Sequence, residues 1–343
     1  MAMMIHVKIV SFTIQGAATA EKIASAFQGE HIEQYRRTVD PSLYGTTLSR
    51  FAQQAMVDCD VIIFVGAIGI AVRAVAPYLV GKTVDPAVIV TDETGRYVVP
   101  ILSGHIGGAN AFAYRIADTI GAEAVITTAT DINGAFAVDT WAAKQRCIIY
   151  DPGNIRYISG AILRGETVGL QSDFPIEGEL PAQVSLTHDV QSGFTVGYEQ
   201  NNFPFPHTLH IIPRIVHIGI GCRRGSSLRQ IEDSIQWTLS QADIPIQSLC
   251  AVASITVKQN ESGLLAFVEK YRLPIRFYTT EELQTAPGVF SPSDFVRRTV
   301  GVDNVCERAA ALSSGNGRKL HSKTVRDGVT VALYEESFRL RFS

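Results

Sequence analysis

Residues 61–79 read VIIFVGAIGIAVRAVAPYL. The run Val61–Val65 is apolar and mostly β-branched, which predicts a buried strand, and Gly66-Ala67-Ile68-Gly69 supplies a turn. Ile70–Leu79 then takes on helical apolar spacing. A strand that runs through a glycine turn into a helix is the building unit of a parallel or mixed sheet covered by helices. Working outward, Val7–Ile14 reads as a strand, Ala18–Phe27 as a helix and Ala124–Ile126 as a further strand. Val88–Thr91 and Tyr97–Val99 read as short strands about the turn Asp92-Glu93-Thr94-Gly95. From Ala109, the positions Phe112, Ala113, Ile116, Ala117 and Ile120 repeat at helical spacing until Gly121 stops them.

The texture changes between Asp151 and Pro213, a window that holds six of the fourteen prolines. Only Glu166–Leu170 and Phe194–Gly197 look strand-like there, so a small irregular middle domain or connector is expected. Order resumes with strands at Ile215–Ile220, Cys250–Ser254 and Ile275–Tyr278 and helices after Ser226, around Gly263–Tyr271 and at Val302–Leu312. Lys323–Arg326 and Val329–Leu333, joined by Asp327-Gly328, read as a closing hairpin. The expected class is α/β: an N-terminal α/β sheet domain (1–150), the middle segment (151–213) and a C-terminal α/β domain (214–343).

The 343 residues are 46% apolar and only 18% charged, against a typical ~25%. That excludes a disordered chain or a coiled coil. Thirty basic and thirty-three acidic residues leave a net charge of −3, with no global field to hold nucleic acid or an anionic membrane. Cys59, Cys147, Cys222, Cys250 and Cys306 are widely spaced and odd in number, which fits reduced thiols in a cytoplasmic protein. The start, MAMMIHVKIV, reads as a first strand instead of a signal peptide. No uncharged stretch offers the ~20 clean apolar residues of a membrane span. No cysteine cluster or His-x-x-x-His gives a strong metal signal.

Three glycine-rich turns lie where strands end, the usual place for ligands in open α/β sheets. In the first, Gly66 and Gly69 allow a close backbone approach, and Arg73 adds a cation suited to carboxylate or phosphate. A tight turn with a solvated arginine accounts for it equally. The second, Ser103-Gly104-His105-Ile106-Gly107-Gly108-Ala109-Asn110, opens a helix whose amides could hold an anion or oxyanion. His105 is an acid/base candidate there, with Asp131 nearby in sequence, and a capping histidine is the plain alternative. The third, Gly219-Ile220-Gly221-Cys222-Arg223-Arg224-Gly225-Ser226-Ser227, imitates nucleotide fingerprints without satisfying them. What remains is a nest of amides beside two arginines, followed by a helix capped by Ser227 and Gln230. Downstream, Lys258 could neutralise a substrate carboxylate and Glu261 could act as acid or base, although a surface ion pair explains them as well.

Taken together, these segments resemble one family, the cobalt-precorrin-5A hydrolases of anaerobic cobalamin biosynthesis (CbiG). The matching text is GAIGIAVRAVAPYL (66–79), VPILSGHIGGANAFAYRIADTIGA (99–122), TTATD (127–131) and GIGCRRGSS (219–227). ASITVKQNE (253–261), PIRFYTTEEL (274–283) and VGVDNVCERAAAL (300–312) extend it. The resemblance implies opening of the ring A δ-lactone of cobalt-precorrin-5A and release of acetaldehyde to give cobalt-precorrin-5B. It also implies that cobalt arrives inside the substrate, so that no cofactor is required, and that a cleft between the two α/β domains would hold the macrocycle. Arg73, Arg223, Arg224 and Lys258 suit its carboxylate rim. Transient contact with other cobalamin-pathway enzymes and a homodimer are compatible with the resemblance. The rival readings are a non-catalytic cobalt-corrinoid carrier and a nucleotide-dependent enzyme using the Gly219–Ser227 loop.

Overall fold

The computed structural model describes residues 4–36, 47–81, 84–104, 107–127 and 135–342. The chain divides into two compact units, Met1–Trp141 and Ala142–Ser343.

In the first unit, β1 (His6–Ser11), β2 (His31–Arg36), β3 (Val61–Val65), β4 (Ala87–Thr91), β5 (Tyr97–Leu102) and β6 (Glu123–Ala124) form one sheet ordered β2-β1-β3-β4-β5-β6. The β2, β1, β3 and β4 ladder is parallel, and β5 turns back antiparallel to β4. Every residue of β3 and β4 is buried, as a parallel strand covered on both faces requires. Helices α1 (Ile14–Ala24) and α4 (Ala109–Ile120) cover one face through Ala20, Ile23, Ala113 and Ile116. Helices α2 (Leu48–Asp58) and α3 (Ile68–Val75) cover the other through Phe51, Ala52, Ala55, Ala71 and Val75. The sheet is therefore doubly wound. Its order reverses between β1 and β3, and the crevice at their carboxyl ends is where such folds take ligands.

The second unit carries two sheets. β7 (Cys147–Ile149), β8 (Val168–Ser172), β10 (Val184–Ser185), β11 (Ser192–Val196) and β12 (His207–Pro213) are ordered β10-β8-β11-β12-β7, with only β7 antiparallel to its neighbour. Helix α5 (Ile155–Leu163) packs on β8, β11 and β12. The middle segment thus holds a five-stranded sheet, and β7 joins it from before Asp151. The remaining strand there, β9 (Ile176–Glu177), pairs with β18 (Leu340–Arg341), so the chain's last strand returns to the middle segment.

The other sheet is ordered β15-β14-β13-β17-β16 and built from β13 (Val216–Cys222), β14 (Leu249–Ile255), β15 (Ile275–Tyr278), β16 (Arg318–Arg326) and β17 (Val329–Glu335). The first three are parallel and the hairpin β16–β17 is antiparallel. Its turn residues Asp327 and Gly328 both have positive φ, 49° and 81°, the geometry expected of an Asp-Gly two-residue hairpin. Helices α6 (Leu228–Gln241) and α7 (Ser262–Lys270) bury Ile231, Ile235, Leu264 and Phe267 on one face. Helix α8 (Cys306–Ser313) lays Ala309 and Ala310 on the other.

Candidate functional site

The loop after β3 is held from both sides. The amide of Gly66 donates to the Thr91 carbonyl at 2.8 Å, and a side chain at Gly66 would meet the Phe12 ring at 2.9 Å. A side chain at Gly66 would therefore crowd Phe12, the residue that follows β1. Gly69 is different: a methyl group there would touch only the tip of Arg73, at 3.5 Å. Helix α3 turns Ala71, Ala74 and Val75 to the core and leaves Ile68, Val72 and Arg73 exposed. The outward face is thus apolar with one guanidinium. Among the described residues Arg73 has no ion-pair partner.

The Ser103 loop is wound tightly. Ser103 has φ 55°, a left-handed conformation costly for a residue with a side chain, and its hydroxyl donates to the Asp85 carbonyl at 2.9 Å. Asp85 in turn accepts from the amides of Val80 and Gly81 at 2.9 and 3.2 Å, so two loops share one anchor. A side chain at Gly104 would meet the buried Asn110 carboxamide at 2.8 Å, and one at Gly107 would meet the Ser103 Cβ at 2.4 Å. Gly108 caps α4 with φ 77°. Loop geometry thus accounts for all three glycines. It also uses two of the amides that open α4, because Ala109 and Asn110 donate to the carbonyls of Ser103 and Gly104. His105 and Asp131 lie outside the described residues.

In the second unit, β13 delivers the Arg223–Ser227 turn. Two of its glycines serve packing. A side chain at Gly219 would lie 1.8 Å from the Cys306 carbonyl oxygen, and one at Gly221 would lie 2.5 Å from the Thr330 hydroxyl. Gly225 has open space around it but φ 77°, so it is needed for the turn itself. The Arg223 carbonyl accepts from the Ser226 hydroxyl at 2.9 Å, which buries Ser226. Ser227 and Gln230 close the expected capping box on α6. Arg223 and Arg224 are both exposed, and neither forms an ion pair among the described residues.

Glu261, directly before α7, is buried against this turn. Its Oε2 accepts from the Gly225 amide at 2.9 Å and its Oε1 from Lys258 Nζ at 3.0 Å. The Gly225 amide, with help from Lys258 and Arg224, holds its carboxyl below the usual carboxylate range. It clamps the turn as an anion, and the same contacts make it a weaker base than a free carboxylate. Gly263 completes the arrangement, since any side chain there would strike the Ser226 carbonyl at 2.2 Å. Gly263 and Thr330 were not singled out from the sequence, because nothing local marks a residue that packs against a loop distant in the chain. Burial pushes the thiols of Cys59, Cys147, Cys250 and Cys306 up to about 12 and raises Cys222 as well, so these are poor nucleophiles near neutrality.

Three family descriptions match in chain order: Cobalamin synthesis G N-terminal over 50–131, Cobalamin biosynthesis central region over 136–213 and Cobalamin synthesis G C-terminus over 216–334. The chain belongs to the CbiG family. Their junction near 213–216 falls between β12 and β13, and the one near 131–136 lies close to the division between the two units. A cobalt-precorrin-5A hydrolase from Salmonella typhimurium is 35% identical over 82% of this chain and 84% of its own length. A second protein of that name, from Priestia megaterium, is 30% identical over 74% of this chain and 72% of its own. The solved structure of CobE, a protein from the cobalamin biosynthetic pathway, is 33% identical over 36% of this CbiG chain and 92% of its own, with a TM-score of 0.34. None of the described helices is long and apolar enough to cross a membrane.

Proposed function

We propose that this CbiG protein hydrolyses cobalt-precorrin-5A, opening its ring A δ-lactone and releasing acetaldehyde to give cobalt-precorrin-5B. The observation that carries the reading is kinship along most of the chain with two proteins named for that hydrolysis. Water adds to the lactone carbonyl, and collapse of the tetrahedral intermediate breaks the ester C–O bond to give a carboxylate and an alcohol. The alcohol then loses its proton as the adjacent carbon–carbon bond breaks. The bonding pair passes into the conjugated macrocycle, and the two-carbon fragment leaves as acetaldehyde. Cobalt enters as part of the substrate, and the scheme uses no bound cofactor and a cytoplasmic setting.

The exposed guanidinium groups of Arg73, Arg223 and Arg224 suit bidentate contacts with the substrate's acetate and propionate groups. Ile68 and Val72 beside Arg73 offer apolar surface to the macrocycle. Lys258, already paired to Glu261, adds positive potential to the turn instead of a free ligand-binding tip. Proton transfer falls to the segment carrying His105, with Asp131 as the second candidate, because Glu261 is committed as a clamp. Desalted protein incubated with cobalt-precorrin-5A should release one equivalent of acetaldehyde, trapped as a hydrazone, with a matching loss of mass from the tetrapyrrole. Tight binding of the tetrapyrrole without aldehyde release makes the protein a carrier. Thermal stabilisation by a nucleotide but by no tetrapyrrole refutes the reading altogether.

A further inference from the structure

At the amino-terminal end of the first sheet's parallel strands, opposite the strand ends that carry the Gly66 loop, three metal-ligating side chains meet on one face of two adjacent strands. Parallel register places His6 of β1 beside His31 of β2, and Lys8 beside Glu33. Strand alternation turns all four to the same side. One ligand atom from each of His6, His31 and Glu33 lies within 4.8 Å of the other two. The imidazole rings are 4.4 Å apart, centroid to centroid, and His6 Nε2 is 2.7 Å from Glu33 Oε1.

The surroundings orient these groups. His6 Nδ1 donates to the Asp58 carbonyl oxygen at 2.7 Å, which turns Nε2 toward Glu33. The other Glu33 oxygen accepts from the Tyr35 hydroxyl at 2.5 Å. His6 Nε2 and Glu33 Oε1 thus converge at hydrogen-bond distance with the His31 ring beside them. A proton there uses two of the three groups. A metal ion uses all three. Lys8, the cation nearest the cluster, is held away by the Asp58 carboxylate at 2.7 Å from both oxygens, against 4.0 Å from Glu33.

We propose that His6, His31 and Glu33 form a binding site for a divalent transition metal of the zinc or cobalt(II) class. Two imidazole nitrogens and a carboxylate oxygen are the donor set such ions take, with a coordination position left for water. The hydrogen bonds from His6 to Asp58 and from Tyr35 to Glu33 are the outer contacts that orient metal ligands. Bond lengths of about 2.1 Å place tetrahedral ligand atoms about 3.3 Å apart, so His6 and Glu33 must part slightly while the exposed His31 swings inward. Bound metal would tie the edge strand β2 to β1.

The test uses the full chain, stripped with a chelator and titrated with zinc by calorimetry and with cobalt(II) by absorption. One ion per chain and visible bands of tetrahedral intensity are expected, with affinity falling as pH drops and protons compete. His31→Ala and Glu33→Gln should each weaken binding at least about tenfold, the lower end of what disturbing even an outer contact does. His31 is exposed, so its variant should keep the metal-free melting temperature of the parent. No stoichiometric binding by the parent protein overturns the proposal. So does unchanged affinity in His31→Ala, which would leave a proton-bridged His6–Glu33 pair and nothing more.

Discussion

Replacing Gly219 with alanine places a methyl carbon 1.8 Å from the Cys306 carbonyl oxygen and 2.9 Å from the Ala310 amide nitrogen. Both atoms belong to the backbone of α8, so no side chain can swing away to make room. Restoring an ordinary 3.4 Å contact requires the helix to retreat by about 1.6 Å from a sheet on which Ala309, Ala310 and Ala311 are packed with almost no exposure. Overpacking of this kind costs about 1–3 kcal/mol, and a backbone obstacle puts it at the upper end. A unit of this size loses ~2–4 °C of melting temperature per kcal/mol, so Gly219→Ala should melt roughly 6–12 °C lower. Gly69→Ala is the opposite case. Its methyl group meets only the Arg73 tip, and alanine in a helix is better than glycine by up to ~1 kcal/mol. That variant should melt slightly higher, yet lose catalytic efficiency if substrate lies against α3. Scanning calorimetry with steady-state aldehyde release reads both quantities. A Gly219→Ala protein melting within about 1 °C of the parent refutes the packing role. A Gly69→Ala protein with full kcat/KM removes that glycine from the substrate surface.

Arg223→Ala and Arg224→Ala should each raise KM by roughly tenfold, the weaker end of a charge-assisted contact, with stability within about 0.5 kcal/mol of the parent; kinetics at several salt concentrations and one melt check this. Glu261→Gln should keep kcat within a few-fold while loosening the Gly225 turn and raising KM, whereas a ~10²–10⁴-fold fall in kcat would make it an acid/base group. His210 is buried, with Nδ1 2.9 Å from the Asp151 carboxylate and Nε2 2.8 Å from the Asn202 carbonyl, so both nitrogens face acceptors. Burial disfavours its charge, but the Asp151 and Asn202 hydrogen bonds outweigh this and raise its pKa above the ordinary 6.5. Because the folded value is the higher one, the pair's stabilisation is complete below about 6.5 and is lost as pH rises through the raised value. Melting curves across pH 5–9 should show that loss in the parent and not in His210→Gln.

Elements whose local signals agree were readable from the sequence. The β3 run, the helical spacing of α4 ending at Gly121, the Ser227–Gln230 capping box and the Asp327-Gly328 hairpin each carry their own chemistry, and each stands where it was expected. The middle sheet was hard to read because its strands break local rules for tertiary reasons. Gly169 and Gly193 sit opposite each other in β8 and β11, where a side chain on either would strike the Phe205 ring, at 2.2 and 2.5 Å. A ring lying across paired glycines leaves no mark in strand propensity. The edge strand β2, HIEQYR, is polar at most positions and has no apolar β-branched run to mark it as a strand. The glycines were found, but their roles were not separable, because an absent side chain looks the same whether a ligand or a helix fills the space.

That ambiguity bears on the chemistry. Lactone hydrolysis asks for a group able to take a proton from water near neutrality and return one to a leaving oxygen. In the second unit's turn, Glu261 is held as an anion by the Gly225 amide and Lys258, and the Cys222 thiol is held protonated by burial. Arg223 and Arg224 are permanent cations. Each of these groups keeps one charge state across the working range, which suits them to fix a polyanionic guest and unsuits them to move a proton. In the first unit's loop, Ala109 and Asn110 have given their amides to Ser103 and Gly104, so an oxyanion must be met by other donors of the segment. The proposed reaction therefore places recognition on the arginines and proton transfer on the histidine-bearing loop. His105→Ala should accordingly lower kcat by ~10²–10⁴-fold with little change in tetrapyrrole binding. Arg224→Ala should do the reverse, and the same loss pattern from both variants would break the division.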